Sequence, residues 1–151
     1  MQAQILAPAA VLVLWSLVML VWLAVTRLPA MNKVMPGGLK NASPGGRGQN
    51  LEGVLDDRIN WKSHNYTHLM EQPTLFYATL TILAFMGAGA TDVLLAWVYV
   101  GLRIVHSIWQ ATVNVVSVRF TLFSLSTVCL LVLAIRAAMA TLLADPSVVV
   151  S

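Results

Sequence analysis

Disulfides have nothing to form from in this chain. Among 151 residues there is one cysteine, Cys129, inside an apolar run, so a disulfide framework is excluded. Charge is scarce as well. Charged residues make up 10%, against about 25% in an ordinary soluble domain. Nine Lys and Arg oppose six Asp and Glu, and the resulting pI near 9.4 would point to nucleic acid in a soluble protein. The excess is only three charges, and most of it falls in one segment. With 58% hydrophobic residues and a mean hydropathy of +0.78, so few charges cannot keep a surface solvated. A soluble enzyme, a disordered tail and a free nucleic-acid binder are all excluded. Internal repeats and low-complexity segments are absent too.

What the chain does have is long apolar runs. About 20 apolar residues cross a bilayer, and the stretch from Ile5 to Thr26 supplies them. No basic segment precedes it and it is longer than a signal-peptide core, so it reads as a true first span. Pro8 falls in its first turn, where a missing N–H costs little. Pro29, Pro36, Gly37, Gly38, Pro44, Gly45, Gly46, Gly48 and Gly53 then break any helix and make a long extramembrane loop. A second apolar stretch follows, with polar residues crowded into its first third. Gly87, Gly89 and Asp92 mark a tight turn, and two further runs follow. Ala144-Asp145-Pro146 ends the last helix, and residues 147–151 are a tail. The expectation is a single domain, residues 1–151: an all-α integral membrane protein, a four-helix transmembrane bundle with spans at about 5–27, 61–88, 93–116 and 118–144 and a loop at 28–60.

Six of the nine basic residues, Arg27, Lys33, Lys40, Arg47, Arg58 and Lys62, bracket that loop. By the positive-inside rule the loop is cytoplasmic and both termini are not. Arg119, at the turn between the third and fourth spans, falls on the same side. A basic cytoplasmic loop can touch anionic headgroups, although a solvated loop is the plainer reading.

Ionisable side chains within spans face the bundle interior or a watery cavity. On a helix His64, His68 and Glu71 fall at i, i+4 and i+7, on one face. Tyr99, Arg103, His106 and Gln110 form a polar stripe along the third span, with Arg103 and His106 at a depth comparable to Glu71. With Arg119 they make a pocket in the cytoplasmic half of the bilayer suited to an anionic, carboxylate-bearing ligand, because guanidinium binds carboxylate bidentately. Plainer readings stand beside this. Glu71 and Arg103 can be a buried ion pair that fixes register, and His68 and His106 can hydrogen-bond across helices. His64 and Arg136 can snorkel, Cys129 can be a small core residue, and Pro73 can kink the second span. A metal site is the sharper alternative, since His64, His68 and Glu71 offer two imidazoles and a carboxylate, though without a His-Glu-x-x-His motif.

The order Glu71 and Pro73, then Arg103-Ile-Val-His106, then Arg119 resembles the MAPEG family, the membrane-associated proteins in eicosanoid and glutathione metabolism. In its microsomal glutathione transferases and prostaglandin E synthase an Arg-x-x-His pair is followed at similar spacing by an arginine opening the last helix. The run His-Asn-Tyr-Thr-His-Leu-Met-Glu-Gln-Pro is similar to bacterial members, which implies a bacterial inner membrane rather than endoplasmic reticulum. The resemblance implies a homotrimer of four-helix protomers binding glutathione between subunits. Glu71 would hold the tripeptide's amino group, Arg103 and His106 would line the pocket, and Arg27 would pair with the glycine carboxylate. Arg119 would be catalytic, stabilising the glutathione thiolate that attacks a lipophilic electrophile or reduces a hydroperoxide.

Four positions depart from the family pattern. His64 and His68 stand where glutathione-dependent members carry arginine and asparagine, Gln110 stands for a tyrosine, and Phe123 stands where prostaglandin E synthase has tyrosine. Three functional readings follow: a glutathione-dependent transferase or peroxidase acting on lipophilic substrates from the bilayer, a non-catalytic MAPEG-fold protein binding a lipid or other small anion, and the His/Glu metal site.

Overall fold

The computed structural model describes residues 2–144, so the Asp145-Pro146 stop and the tail after it lie outside the described residues. Four long helices follow in order: α1 (Gln2–Val34), α2 (Asp57–Met86), α3 (Ala90–Thr112) and α4 (Val116–Leu142). Two single-turn 3-10 segments, Gly38–Asn41 and Gly48–Leu51, punctuate the connection between α1 and α2. Among the described residues α1, α3 and α4 are long and apolar enough to cross a membrane. The polar first half of α2 dilutes its hydropathy. Its 30 residues nevertheless extend about 45 Å at 1.5 Å per residue, and the outward side chains of its second half (Leu75, Ile82, Phe85) are apolar.

Each helix buries a narrow seam at spacings of three and four. On α1 the seam is Ile5, Pro8, Leu12, Ser16 and Met19; on α2 it is Asn65, Leu69, Pro73, Phe76, Leu80 and Leu83; on α4 it is Ser126, Leu130, Leu133 and Ala137. The remaining faces are exposed Leu, Val, Ile and Phe. That distribution suits a bundle whose outer solvent is hydrocarbon, where close packing and polar contacts hold helices together. α2 and α3 pack on each other, and α1 and α4 each pack on both.

The turns are set by local chemistry. Gly87 ends α2 at φ +92°, a left-handed conformation that glycine adopts without penalty. Two residues on, the Gly89 N–H donates to Asp92 Oδ2 at 2.8 Å and so opens α3. The expected tight turn at Gly87, Gly89 and Asp92 is thus observed. The expected break at Pro29 is not, because α1 continues through Pro29 to Val34. Tertiary anchors override the local signal: Met31 is buried, and Arg27 is tied to Ser63 at the start of α2. The connection therefore begins after Val34 rather than at residue 28 and ends where α2 starts at Asp57.

Candidate functional site

The polar stripe of α3 faces inward, with Tyr99, Arg103, His106 and Gln110 all buried. Tyr99 stacks on Phe76 of α2 with centroids 4.2 Å apart and donates its hydroxyl to Gln72 Oε1 at 3.3 Å. Gln72 in turn donates to Thr127 Oγ1 of α4 at 2.8 Å. One glutamine thereby links three helices.

Below it, Arg103 reaches α2. Its Nη2 donates to the His68 carbonyl at 3.0 Å and lies 3.4 Å from His68 Nδ1. Guanidinium has donors only, so Nδ1 is the acceptor and the imidazole proton sits on Nε2. Arg103 Nε and Nη1 make no hydrogen bond to protein. The His68 ring stacks on His106, centroids 5.0 Å apart and planes 27° apart. Phe123 of α4 closes over both, 5.3 Å from the His68 ring and 5.8 Å from the Arg103 guanidinium carbon.

Arg119 enters from the first turn of α4. Asn114, in the turn between α3 and α4, adopts φ +56°, a left-handed conformation that asparagine tolerates better than most residues. Its N–H closes on the Trp109 carbonyl at 2.8 Å, and its Oδ1 accepts from Arg119 Nη1 at 2.8 Å. A cavity of about 200 Å³ results, lined by His68, His106, Val116, Arg119, Phe120 and Phe123. Three helices each contribute one cationic or imidazole side chain to it, and Arg103 stands behind His68.

Other candidates lie elsewhere. Glu71 is exposed and forms no ion pair with Arg103; the ion pairs among the described residues are His64–Glu52 and Arg136–Asp92. His64 Nε2 lies 2.8 Å from Glu52 Oε1 of the connection, and Arg27 donates to Ser63 Oγ at 2.8 Å and to the Gly48 carbonyl. The three residues considered as metal ligands are not brought together. His64 turns to Glu52, His68 turns to Arg103, and no group of three His, Cys, Asp or Glu among the described residues can hold a metal ion.

Several contacts were not foreseen from sequence. Asn114, which holds Arg119, is signalled only by an asparagine between two helical runs. Arg136, expected to snorkel, instead pairs with the buried Asp92 across 44 residues of sequence. Ser107 Oγ accepts from Trp15 Nε1 at 3.0 Å and from Asn65 Nδ2 at 2.8 Å, which joins α1, α2 and α3 at one hydroxyl. Cys129 is partly buried against the apolar core, as expected for a small core residue.

The family model of the MAPEG family matches residues 5–139, a range that runs from α1 into α4. The chain belongs to the MAPEG family. No curated protein and no solved structure matches it. Family membership and the three apolar helices make this a membrane protein of the family associated with glutathione and eicosanoid metabolism. Among MAPEG landmarks expected from sequence, His106, Arg119 and the His68 substitution share one pocket, whereas Glu71, Arg27 and His64 lie outside it and Arg103, expected to line it, does not.

Proposed function

We propose that this MAPEG protein is a glutathione-dependent transferase or peroxidase acting on lipophilic electrophiles or hydroperoxides. The observation that carries this reading is the convergence of His68, His106 and Arg119 on one cavity walled by Phe120 and Phe123. Reduced glutathione supplies a thiolate nucleophile when bound. Arg119 is the charged donor for that sulfur, and an adjacent cation favours thiolate over thiol. His68 presents Nε2–H as a second donor, Arg103 positions His68, and His106 lines the pocket. The two phenylalanines and Val116 give the cavity an apolar side through which a lipophilic partner reaches the sulfur.

These donors fit the anionic sulfur end of the tripeptide. The carboxylate for its amino group, Glu71, lies on the exposed face of α2, next to exposed Met70 and Leu75. An unpaired carboxylate among apolar side chains is costly facing lipid. A homotrimer that covers this face with a neighbouring protomer relieves that cost and completes the site between subunits. The basic connection supports a cytoplasmic position for this end of the bundle, with four crossings and both termini opposite; the bacterial-type run of α2 supports an inner membrane. Arg27 and His64 are left out of the site because their side chains are engaged by the connection.

A non-catalytic anion or lipid binder is the second reading. It is favoured by Phe123, which offers the pocket a ring and no hydroxyl.

Titration of the detergent-purified protein with reduced glutathione, read as thermal stability and as turnover of a chlorodinitrobenzene electrophile, tests the proposal. A ligand selective for the folded state adds about 2.7 kcal/mol at a hundred times its dissociation constant. The expected result is a saturable rise with turnover, both lost in Arg119→Ala. A rise without turnover supports the second reading, and no rise at millimolar glutathione refutes tripeptide binding.

A further inference from the structure

The interior of the bundle holds a positive charge with no counter-charge in contact with it. Arg103 is fully buried, and the ion pairs among the described residues are His64–Glu52 and Arg136–Asp92. Of the Arg103 nitrogens, Nη2 is bonded to His68, whereas Nε and Nη1 have no hydrogen-bond partner. Glu71 is near enough to interact with the charge, but it lies on the exposed face of α2 and forms no ion pair with it. Arg103 precedes the end of α3 at Thr112 by nine residues, about 14 Å at 1.5 Å per residue. That is roughly half of a ~30 Å hydrocarbon core. A guanidinium at such a depth, with neither a paired anion nor full hydrogen bonding, is costly.

A second unbonded group lies nearby on α2. Tyr77 is within range of the Arg103 charge, and its buried hydroxyl has no hydrogen-bond partner. The Ser16 hydroxyl of α1 adjoins Tyr77 but donates to the Leu12 carbonyl at 2.9 Å. Tyr99, one turn along α3, donates to Gln72. What remains is a set of donors, two guanidinium nitrogens and one phenol. Such a set favours an acceptor that carries negative charge, because water would complete the hydrogen bonds and leave the charge unbalanced. Space sets the size of that acceptor. Neither Arg103 nor Tyr77 lines the His68–Arg119 cavity, and the unbonded atoms are closed to solvent. A carboxylate or phosphate needs open volume, whereas a monatomic anion needs little more than a buried water, ~30 Å³.

We infer that the bundle core binds a halide, chloride under ordinary conditions, on an unbonded N–H of Arg103 shared with the Tyr77 hydroxyl. The ion supplies the counter-charge that no carboxylate of the chain brings into contact. It is distinct from any ligand of the Arg119 cavity, and the inference does not rest on the glutathione reading.

Thermal unfolding of the full chain in an uncharged maltoside detergent tests it, at constant ionic strength, with gluconate exchanged for chloride, bromide or sulfate and no glutathione present. Chloride is expected to raise the melting temperature saturably, bromide to replace it, and sulfate to give no saturable rise. Arg103→Met is expected to melt at one temperature in chloride and gluconate. Tyr77→Phe keeps the ring and is expected to need about tenfold more chloride, the equivalent of one hydrogen bond to a charged group. Arg119→Ala is expected to keep the full rise, which separates this ion from one in the Arg119 cavity. Chlorine NMR line broadening on the unmodified protein and Tyr77→Phe is expected to follow the same order, so the inference stays testable if Arg103→Met does not fold. Equal melting of the unmodified protein in chloride and gluconate overturns the inference and leaves water as the partner of Arg103. So does a saturable rise with sulfate, a rise that persists in Arg103→Met, an unshifted midpoint in Tyr77→Phe, or loss of the rise in Arg119→Ala.

Discussion

Arg103 meets His68 at two atoms, the backbone carbonyl at 3.0 Å and the ring Nδ1 at 3.4 Å, from a single guanidinium nitrogen. The contact holds an imidazole in one tautomer and aims its remaining N–H away from the cation. It also leaves Arg103 fully buried with two nitrogens unbonded to protein.

Burying a guanidinium without full hydrogen bonding is expensive, and an apolar replacement of similar reach removes that expense. Arg103→Met is therefore expected to match or exceed the thermal stability of the unmodified protein, by up to about 2 kcal/mol. Glutathione affinity is expected to fall, because His68 loses its orientation. Parallel melting curves and ligand titrations check both; a clear loss of stability in Arg103→Met would show the residue to be architectural instead.

The tautomer argument separates two replacements at position 68. Glutamine can place its NH₂ near the former Nε2, whereas leucine offers no donor. His68→Gln is expected to keep most glutathione binding, and His68→Leu to lose about 10- to 100-fold, the range for a hydrogen bond to a charged group. Equal losses in the two variants, measured by calorimetry, would remove the donor role.

Asn114 combines a turn conformation with the positioning of Arg119. Asn114→Gly keeps the left-handed turn and loses only the side-chain contact, so stability is expected to stay within about 1 kcal/mol while turnover drops. Asn114→Ala adds backbone strain of about 1 kcal/mol or more. Denaturant melts beside kcat measurements distinguish the two effects.

At the opposite end of the bundle, Arg136 pairs with the buried Asp92, whose other oxygen also caps Gly89. Removing the cation leaves a carboxylate without its partner. Arg136→Ala is expected to cost about 1–3 kcal/mol, a modest figure because the arginine itself is half-exposed. The Asp92→Asn, Arg136→Ala double variant should recover part of that loss in a thermal melt. Strict additivity would mean the two side chains do not cooperate.

The four helices were legible because their breakers are local: Gly87 and Gly89 between α2 and α3, and the glycine-rich connection before α2. The buried stripe of Tyr99, Arg103, His106 and Gln110 was legible for the same reason, since helical period alone puts those residues on one face. Contacts between helices were not. Nothing in sequence pairs Asp92 with Arg136, or turns His64 toward Glu52 rather than toward His68. Pro29 misled because its cost to a helix is local, while the anchors that outweigh it, Arg27 on Ser63 and the burial of Met31, are tertiary. Glu71 was offered Arg103 as an ion-pair partner but lies on the exposed face of α2, since spacing along α2 does not reveal which way the helix is rotated in the bundle.

The hydroxyl of Ser107 accepts from both the Trp15 indole and the Asn65 amide, and this imposes an order on biogenesis. The first two helices leave the ribosome before the third, so their hairpin enters the bilayer with the shared acceptor still unsynthesised. Until α3 arrives, the hydrogen bond from Arg27 to Ser63 ties the two helices lengthwise near one end. The arrival of one small side chain then adds a second tie, which joins α1 and α2 to a third helix.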